Sequence, residues 1–277
     1  MRIRDLYSPG KTILSLEVFP PKHDPGICLD GALSDIARLS PAFISVTVHA
    51  SGSVEKTLGI AAGIQNEFGL PSMAHLTCVN SSRDTVHHSL EMIRGRGVEN
   101  ILALRGDPVE GGRADYRYAS ELIRDIGGYG GFCIGAACYP EGHIDSTDLA
   151  LDIGYLKAKQ DAGAEFFVSQ LFFDNDVFFR FLERARAAGI TVPVSAGVMP
   201  VLSRGQIEKM IFLCGASLPA RVVRLLHTYQ SDADSLRKAG TELAAEQVRG
   251  LMEAGVDGVH LYTMNKPEVA EWIFSKR

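Results

Sequence analysis

Short apolar segments alternate with longer amphipathic segments along nearly the whole chain of 277 residues. The short segments are rich in β-branched and aromatic residues, which favours strands. The longer segments repeat apolar residues at steps of three and four, which favours helices. One such helix is predicted over residues 82–96, with Gly97 ending it. Strands are predicted over eight segments: 12–19, 43–48, 72–77, 100–104, 132–138, 165–171, 192–196 and 258–262.

The regular order of strand and helix predicts an α/β fold with a parallel sheet. Eight βα units of roughly 30 residues fill ~240 residues, so a single (β/α)8 TIM barrel accounts for residues 1–277. Residues 203–255 leave room for two or three helices before the eighth strand. A doubly wound dinucleotide fold is disfavoured, because the first strand is followed by Phe19-Pro-Pro-Lys22 and not by a glycine-rich turn.

Composition narrows the possible partners. The chain has 28 Lys and Arg against 33 Asp and Glu, a net charge of −5, which argues against binding to nucleic-acid phosphates. No stretch approaches the ~18 uncharged apolar residues of a membrane span, so a cytoplasmic protein is expected. The five cysteines are widely spaced without a C-x-x-C pair, which predicts reduced and mostly buried thiols.

Polar side chains follow most of the predicted strands. In a (β/α)8 barrel the carboxyl ends of the strands meet at one mouth, where the active site lies. Carboxylates, an amide, histidines and tyrosines at one mouth suit a polar heteroaromatic ligand. No metal site is expected, because the histidines lie on different loops and no cysteine joins them. The residues at these ends are Glu17, Thr47, His75, Arg105, Asp107, Tyr139, His143, Gln170 and Tyr262.

Each of these residues alone also has an ordinary structural explanation. Glu17 would be a partly solvated carboxylate, since acidic residues are seldom buried without a partner. His75 would be a core histidine, and Arg105-Gly-Asp107 would be a simple turn. Gln170 is harder to explain in this way, because an unpaired buried amide costs ~1–3 kcal/mol. Gln170 therefore needs a partner.

Eight segments, taken together and in order, resemble the 5,10-methylenetetrahydrofolate reductase family, whose members are flavin-dependent (β/α)8 barrels. The chain stops soon after its last predicted helix, so it looks like the short prokaryotic form without a regulatory domain. The segments are Leu16-Glu-Val-Phe-Pro-Pro-Lys22, Ser45-Val-Thr47, Ala74-His-Leu-Thr-Cys78, Ala103-Leu-Arg-Gly-Asp107, Tyr139-Pro-Glu-Gly-His143, Asp161-Ala-Gly-Ala164, Ser169-Gln-Leu-Phe-Phe-Asp174 and Tyr262-Thr-Met-Asn-Lys266.

The resemblance implies that FAD at the barrel mouth passes hydride to 5,10-methylenetetrahydrofolate and gives 5-methyltetrahydrofolate, with NAD(P)H as the electron donor. It implies catalytic roles for Glu17, Asp107 and Gln170, and folate contacts from Glu17, Gln170, Tyr262 and Lys266. It also implies a homo-oligomer. The implied FAD contacts are Thr47, His75, Arg105, Gly106, Asp107, Tyr118, Ala119, Tyr139, His143, Asp152 and Lys159.

The chemistry that the resemblance implies gives each catalytic residue a role. Opening the five-membered ring of the folate to an iminium requires a proton at the leaving nitrogen, and Glu17 is the candidate acid. Asp107 would stabilise positive charge on the iminium and oppose excess negative charge on the reduced flavin. Gln170 would donate and accept hydrogen bonds along the pterin edge.

Three regions depart from the family pattern. Lys266 stands where arginine is common, and lysine lacks the bidentate contact that arginine makes to a carboxylate. Leu202-Ser-Arg204 replaces a segment that often supplies a phenylalanine against the substrates. Tyr155 and Ala158 stand where polar or basic flavin contacts are usual. Altered FAD or donor binding is expected.

Two other functions remain open from the sequence. One is a folate-handling barrel that transfers a one-carbon group without a flavin. The other is a subunit that receives electrons from a partner redox protein, or a degenerate binding module. The colour of the purified protein and the reduction of its flavin by NAD(P)H would distinguish these possibilities.

Overall fold

The computed structural model describes residues 1–20, 29–48, 54–107, 115–146 and 148–276, with only the backbone at residues 29 and 30. Eight parallel strands form a closed barrel in chain order, and the last strand pairs with the first. The predicted (β/α)8 fold is confirmed. The strands are β1 (Ile13–Val18), β2 (Ile44–Val46), β3 (Ser72–Thr77), β4 (Asn100–Leu104), β5 (Cys133–Cys138), β6 (Phe166–Ser169), β7 (Val194–Val198) and β8 (Gly258–Tyr262).

Helices surround the barrel, and three of them lie between β7 and β8, where the sequence leaves room for two or three. A 3-10 turn over Ile3–Leu6 precedes β1. The helices are α1 (Leu29–Arg38), α2 (Val54–Phe68), α3 (Arg83–Gly95), α4 (Ala119–Tyr129), α5 (Leu149–Asp161), α6 (Asn175–Ala187), α7 (Arg204–Cys214), α8 (Ala220–Thr228), α9 (Ala233–Glu253) and α10 (Pro267–Ser275).

Of the strand boundaries that differ from the prediction, two have a clear local reason. β6 ends at Ser169, two residues earlier than predicted, because the Leu171 N–H donates to the side-chain oxygen of Gln170 at 2.8 Å and not to a neighbouring strand. β7 begins at Val194, two residues later than predicted. Pro193 has no N–H to donate to the ladder, which accounts for the later start.

The bottom of the barrel is apolar and filled. Side chains from the N-terminal turn and several strands pack there in one buried cluster, which closes this end. Ile3 belongs to the cluster, and its N–H donates to Asn100 Oδ1 at 2.8 Å. The polar side chains therefore collect at the opposite mouth, as expected for this fold. The cluster comprises Ile3, Ile13, Phe43, Met73, Leu102, Cys133, Phe166 and Val168.

The described cysteines are free thiols, as predicted. Cys78, Cys133 and Cys138 are buried and Cys214 is half-buried, while Cys28 lies outside the described residues. Burial raises the pKa of the Cys138 thiol to about 12. Among the described residues, no helix has both the length and the apolarity needed to cross a membrane.

The segment after β8 holds the end of β1. Asn265 makes two bonds to the backbone of Phe19: its Nδ2 donates to the carbonyl oxygen at 2.7 Å, and its Oδ1 accepts from the N–H at 3.0 Å. The Thr263 hydroxyl donates to the carbonyl oxygen of Glu17 at 2.7 Å. Met264 and Asn265 have positive φ values of 55° and 54°, a conformation that asparagine tolerates better than most residues. Glu17 is thereby fixed at the seam where the barrel closes.

Two substitutions of Asn265 separate the stability that its side-chain hydrogen bonds contribute from the effect of its left-handed backbone conformation. Asn265→Gly keeps the left-handed backbone and loses both side-chain bonds, so the free energy of unfolding should fall by about 1–3 kcal/mol. Asn265→Ala should be less stable still, because alanine is strained at positive φ. Denaturant unfolding measures both variants. A glycine variant as stable as the parent protein would show that the side-chain bonds do not hold the seam.

Candidate active site

Two adjoining cavities occupy the mouth of the barrel. The central cavity, of about 600 Å³, lies over the strand ends. The side cleft, of about 290 Å³, lies between the ends of β4 and β5 and helices α4 and α5. Their combined size suits one large cofactor with a smaller substrate. The cavities share a wall formed by Leu104, Arg105, Ala137, Tyr139 and His143.

Glu17 lies at the base of the central cavity with one carboxylate oxygen surrounded by three groups. Its Oε2 accepts from the Ser45 hydroxyl at 3.4 Å and lies 3.5 Å from His75 Nε2 and 3.7 Å from His260 Nε2. Ser45 is its register partner on β2. The Glu17 side chain keeps 16% of its surface exposed, so the carboxyl group remains accessible from the cavity.

His75 is neutral in this environment. Burial is the main cause that lowers its pKa to about 4, and the neighbouring His260 lowers it further, while Glu17 acts in the opposite direction. At neutral pH the contact between His75 and Glu17 is therefore not an ion pair. The sequence assigned these two residues to one mouth, and the structure places them side by side.

Tyr262 reaches across the barrel mouth from β8 to β6. Its hydroxyl donates to the Ser169 carbonyl oxygen at 2.7 Å, and burial raises its pKa well above the usual value. Gly197 on the intervening β7 makes this possible. A Cβ at position 197 would overlap the Ser169 carbonyl oxygen and lie 2.8 Å from the Tyr262 hydroxyl. Tyr262 thus presents its ring and an oxygen lone pair to the cavity.

Gln170 has a partner for one end of its amide. Its side-chain oxygen accepts from the Leu171 N–H, and its own backbone N–H donates to the Cys138 carbonyl oxygen at 2.7 Å. Among the described residues, no hydrogen bond uses the amide NH2 group. Because Gln170 lines the central cavity, this group is available to a ligand.

The Arg105-Gly106-Asp107 turn connects the two cavities. Gly106 has a φ of 82°, and a Cβ there would lie 2.9 Å from Thr77 Cβ, so only glycine fits without a shift. Arg105 donates from Nη2 to Asp145 Oδ2 at 2.8 Å. The exposed Asp107 side chain lines the central cavity, while its carbonyl oxygen accepts from Asn80 Nδ2 at 3.1 Å.

The side cleft contains a half-buried lysine beside aromatic rings. Lys159 donates from Nζ to the Ala137 carbonyl oxygen at 2.7 Å, and burial lowers its pKa to about 8. Its Nζ lies 5.4 Å from the centre of the Tyr139 ring, which meets the His143 ring edge-on at 4.7 Å. Asp152 accepts from the His143 backbone N–H at 2.6 Å. The cleft therefore offers cationic donors beside flat apolar surfaces.

The rim of the side cleft carries two stacked tyrosines. Tyr118, which precedes α4, lies parallel to Tyr155 of α5, with ring centres 5.8 Å apart and an interplanar angle of 23°. Both rings are partly exposed to solvent. Ala119, at the start of α4, lines the same cleft. Tyr155, which the sequence identifies as a departure from the family pattern, therefore extends an aromatic surface at this rim.

Four buried side-chain polar atoms lack a hydrogen-bond partner among the described residues: Thr47 Oγ1, Ser72 Oγ, His75 Nε2 and Asn175 Oδ1. Buried polar atoms are nearly always paired, with protein, water or a ligand. Of these four residues, His75 lines the central cavity, so its Nε2 is available to a bound polar group.

Most predicted site residues line the two cavities. The exceptions are Thr47 and Lys266, which line neither cavity. The Thr47 hydroxyl oxygen is buried, and Lys266 is the N-cap residue of α10. The residues on the cavity walls are Glu17, His75, Arg105, Gly106, Asp107, Tyr118, Ala119, Tyr139, His143, Asp152, Lys159, Gln170 and Tyr262.

Sequence reasoning missed Ser45 and His260. Both are fully buried. His260 lies two residues before Tyr262 on the same strand, so the alternation of a strand places both on one face. That spacing is a signal that could have assigned His260 to the barrel interior. Ser45 carries no comparable signal, because a lone serine in an apolar strand has many ordinary explanations.

Comparisons with known proteins identify the family of the chain. The family model for methylenetetrahydrofolate reductase matches residues 2–277. The chain is 35% identical to methylenetetrahydrofolate reductase (NADH) 1 of Arabidopsis thaliana, over 95% of this chain and 48% of the relative. It is 33% identical to 5,10-methylenetetrahydrofolate reductase of Pectobacterium carotovorum, over 94% of this chain and 88% of the relative. The chain spans about half the length of the eukaryotic relatives it matches.

A solved structure supports the fold. It is an uncharacterized protein from Clostridium thermocellum that binds two copies of 5-methyl-5,6,7,8-tetrahydrofolic acid, with a TM-score of 0.67 and 15% identity, covering 99% of this chain and 95% of that chain. At this identity the likeness shows the fold alone. Family membership rests instead on the family model and on the 33% identity to the Pectobacterium protein. The chain belongs to the methylenetetrahydrofolate reductase family.

Proposed function

We propose that this protein reduces 5,10-methylenetetrahydrofolate to 5-methyltetrahydrofolate, with hydride from FAD that a nicotinamide donor has reduced. The observation that carries the proposal is the pair of adjoining cavities at one barrel mouth. One cavity holds Glu17, Asp107 and Gln170, and the other holds Lys159. Arg105 lines both. An acid, a charge-stabilising carboxylate and an amide donor thus lie beside a cationic cleft.

The residues at the mouth fit FAD. Lys159 and Arg105 supply positive charge for phosphate groups, Lys159 as a point charge and Arg105 as a planar donor. His75 Nε2 is buried without a partner among the described residues, on the wall of the central cavity, and suits the polar edge of a flavin. Tyr139 and His143 add ring surfaces between the cavities. When bound, FAD would supply the hydride that reduces the folate.

Glu17 would supply the proton that opens the folate ring. Its carboxyl group is held on one side by Ser45, His75 and His260 and is exposed on the cavity side. A proton donor must lie within hydrogen-bond reach of the leaving nitrogen. Glu17 would satisfy this requirement, because its contacts fix the side chain at the base of the cavity. Because His75 is neutral at pH 7, it places no full positive charge against the carboxyl group.

Asp107 and Gln170 would position and stabilise the opened folate. The Asp107 carboxylate lines the cavity, where it would stabilise the positive charge of the iminium. The NH2 group of Gln170 would donate to the pterin edge, and its side-chain oxygen stays bound to Leu171 N–H. Holding the acceptor in a fixed orientation removes part of the entropic barrier to transfer.

Anaerobic stopped-flow absorbance tests the proposal. The FAD-loaded protein is mixed with NADH or NADPH and then with 5,10-methylenetetrahydrofolate. We expect the flavin absorbance to bleach with at least one nicotinamide and to recover with the folate. A colourless protein that binds no added FAD would contradict the proposal and favour one-carbon transfer without a flavin. A flavin that only dithionite reduces, but that the folate reoxidises, would favour electrons from a partner protein.

A further inference from the structure

A histidine lies below Glu17 in the interior of the barrel, fully buried on β8. The two ring nitrogens of His260 face different serines: Nδ1 lies 2.7 Å from Ser15 Oγ, and Nε2 lies 3.1 Å from Ser45 Oγ. The ring also stacks on Phe43, with centres 5.7 Å apart and an interplanar angle of 20°. Both hydrogen-bonding positions and the plane of the ring are therefore fixed.

The serine on β1 assigns the tautomer of His260. Ser15 Oγ lies 2.7 Å from His260 Nδ1 and 3.2 Å from the Val259 carbonyl oxygen, which can only accept, so both contacts are hydrogen bonds only if the Ser15 hydroxyl donates its single proton to Val259. Ser15 Oγ must then accept from the Nδ1–H of His260. In the neutral ring, this leaves Nε2 as an acceptor that faces Ser45.

The Ser45 hydroxyl therefore has one proton and two possible acceptors. His260 Nε2 lies at 3.1 Å and Glu17 Oε2 lies at 3.4 Å. The nearer acceptor competes with the carboxylate for this hydrogen bond. A hydrogen bond to an ionised carboxylate favours the ionised form, so withdrawal of the Ser45 proton favours the protonated acid.

Within the part of the chain that the structure describes, two other titratable groups face Glu17. His75 on β3 lies 3.5 Å away and has a pKa of about 4. Tyr262 on β8 is the register partner of Glu17 and has a pKa raised well above 10. Neither group changes its charge near neutral pH. A change in the pH dependence after substitution of His260 would therefore report on the Ser45 and Glu17 pair.

We infer that His260 is a positioning residue that acts through Ser45: it draws the Ser45 proton away from Glu17 and so favours the proton-bearing acid that the folate half-reaction requires. The inference rests on the proposed function and deepens it. It predicts that loss of the His260 acceptor strengthens the bond from Ser45 to the Glu17 carboxylate. The acid then loses its proton at lower pH.

His260→Asn tests this role. Asparagine retains a polar group near the position of Nδ1, toward Ser15, and is too short to reach Ser45. We expect the folate half-reaction to slow about tenfold at neutral pH, with its decline at rising pH moved about one unit lower, since one unit corresponds to a factor of ten. Reduction of the bound flavin by nicotinamide should not change. Ser72→Ala, at a buried serine of β3 that does not line either cavity, is the control.

The double variant His260→Asn/Ser45→Ala distinguishes this role from a structural one. Without the Ser45 hydroxyl there is no proton to withdraw, so the pH midpoint of the folate half-reaction should return to that of the parent protein. An unshifted midpoint in His260→Asn, or the same shift in the double variant, would overturn the inference. Failure of the parent protein to be reoxidised by the folate would instead contradict the proposed function.

Nitrogen NMR of the parent protein gives an independent test if the variants fail to fold. Protein labelled with ¹⁵N-histidine should show His260 as the Nδ1–H tautomer, with its signals identified by through-bond assignment. The Nε2–H tautomer would contradict the inference, because that nitrogen would then donate to Ser45 and free the Ser45 proton for Glu17.

Discussion

Replacing Glu17 with glutamine is expected to slow the folate half-reaction by about 10²–10⁴-fold, the usual contribution of a general acid. Glutamine keeps the size of the side chain but has no acidic proton for the leaving nitrogen of the folate. FAD binding and flavin reduction by nicotinamide should be unchanged, because neither needs this proton. Single-turnover stopped-flow, which follows each half-reaction separately, measures the effect.

A matched control for Glu17→Gln is Glu91→Gln, on the exposed face of α3. This variant should behave as the parent protein in both half-reactions. Near-normal folate reduction by Glu17→Gln would remove Glu17 from the role of acid. Equal slowing of both half-reactions would indicate a distorted site and not a missing proton.

Replacing Lys159 with methionine is expected to weaken FAD binding by about 10- to 100-fold, from the loss of a charge-assisted hydrogen bond worth roughly 1.5–3 kcal/mol. Methionine keeps most of the length and apolar surface of the side chain. Lys159 is half-buried in the side cleft, where its Nζ donates to the Ala137 carbonyl oxygen. Titration of the FAD-free protein with FAD, followed by flavin fluorescence, measures the affinity.

The same variant should be more stable without FAD. Burial lowers the pKa of Lys159 to about 8 from an ordinary value of 10.5, so the unfolded chain binds more protons between these two pH values. The stability of the parent protein therefore gains from rising pH over this range, as the buried ammonium is neutralised. The advantage of Lys159→Met should be roughly 1–3 kcal/mol below pH 8 and should shrink toward pH 10.5.

Lys157→Met provides the control for both effects. Lys157 lies on the same helix but is partly exposed and pairs with Asp161. Its replacement should leave FAD affinity unchanged and should change stability by less than about 1 kcal/mol. Parent-like FAD affinity in Lys159→Met would contradict the assignment of the side cleft to the cofactor.

The barrel was predictable because each unit carries its own local signal. β3, β4 and β8 begin and end where the sequence predicts, since apolar β-branched runs and flanking turns define them. The end of β6 was not predictable. It depends on whether the Leu171 N–H donates to a neighbouring strand or to the Gln170 side chain, and in the structure it donates to the side chain. Such competition is decided by three-dimensional geometry, which residue types alone do not encode.

The site residues were predictable where a polar side chain at a strand end is itself a signal of function. Glu17, Asp107 and Gln170 line one cavity, as expected for polar side chains at strand ends. The contacts of Glu17 with His260 and Ser45 were not predictable, because these two residues are distant in sequence and meet only when β8 pairs with β1 and closes the barrel. Lys266 carried a prediction of substrate binding that stays a prediction, since it caps α10 outside the cavity walls.

A crystal structure of the protein with FAD and 5-methyltetrahydrofolate tests the central claim most directly. We expect FAD to extend from the side cleft into the central cavity, with Lys159 near a phosphate group. We expect the pterin of the folate within hydrogen-bond distance of Glu17, Asp107 and Gln170. Folate density outside the barrel mouth, or FAD bound away from both cavities, would contradict the account.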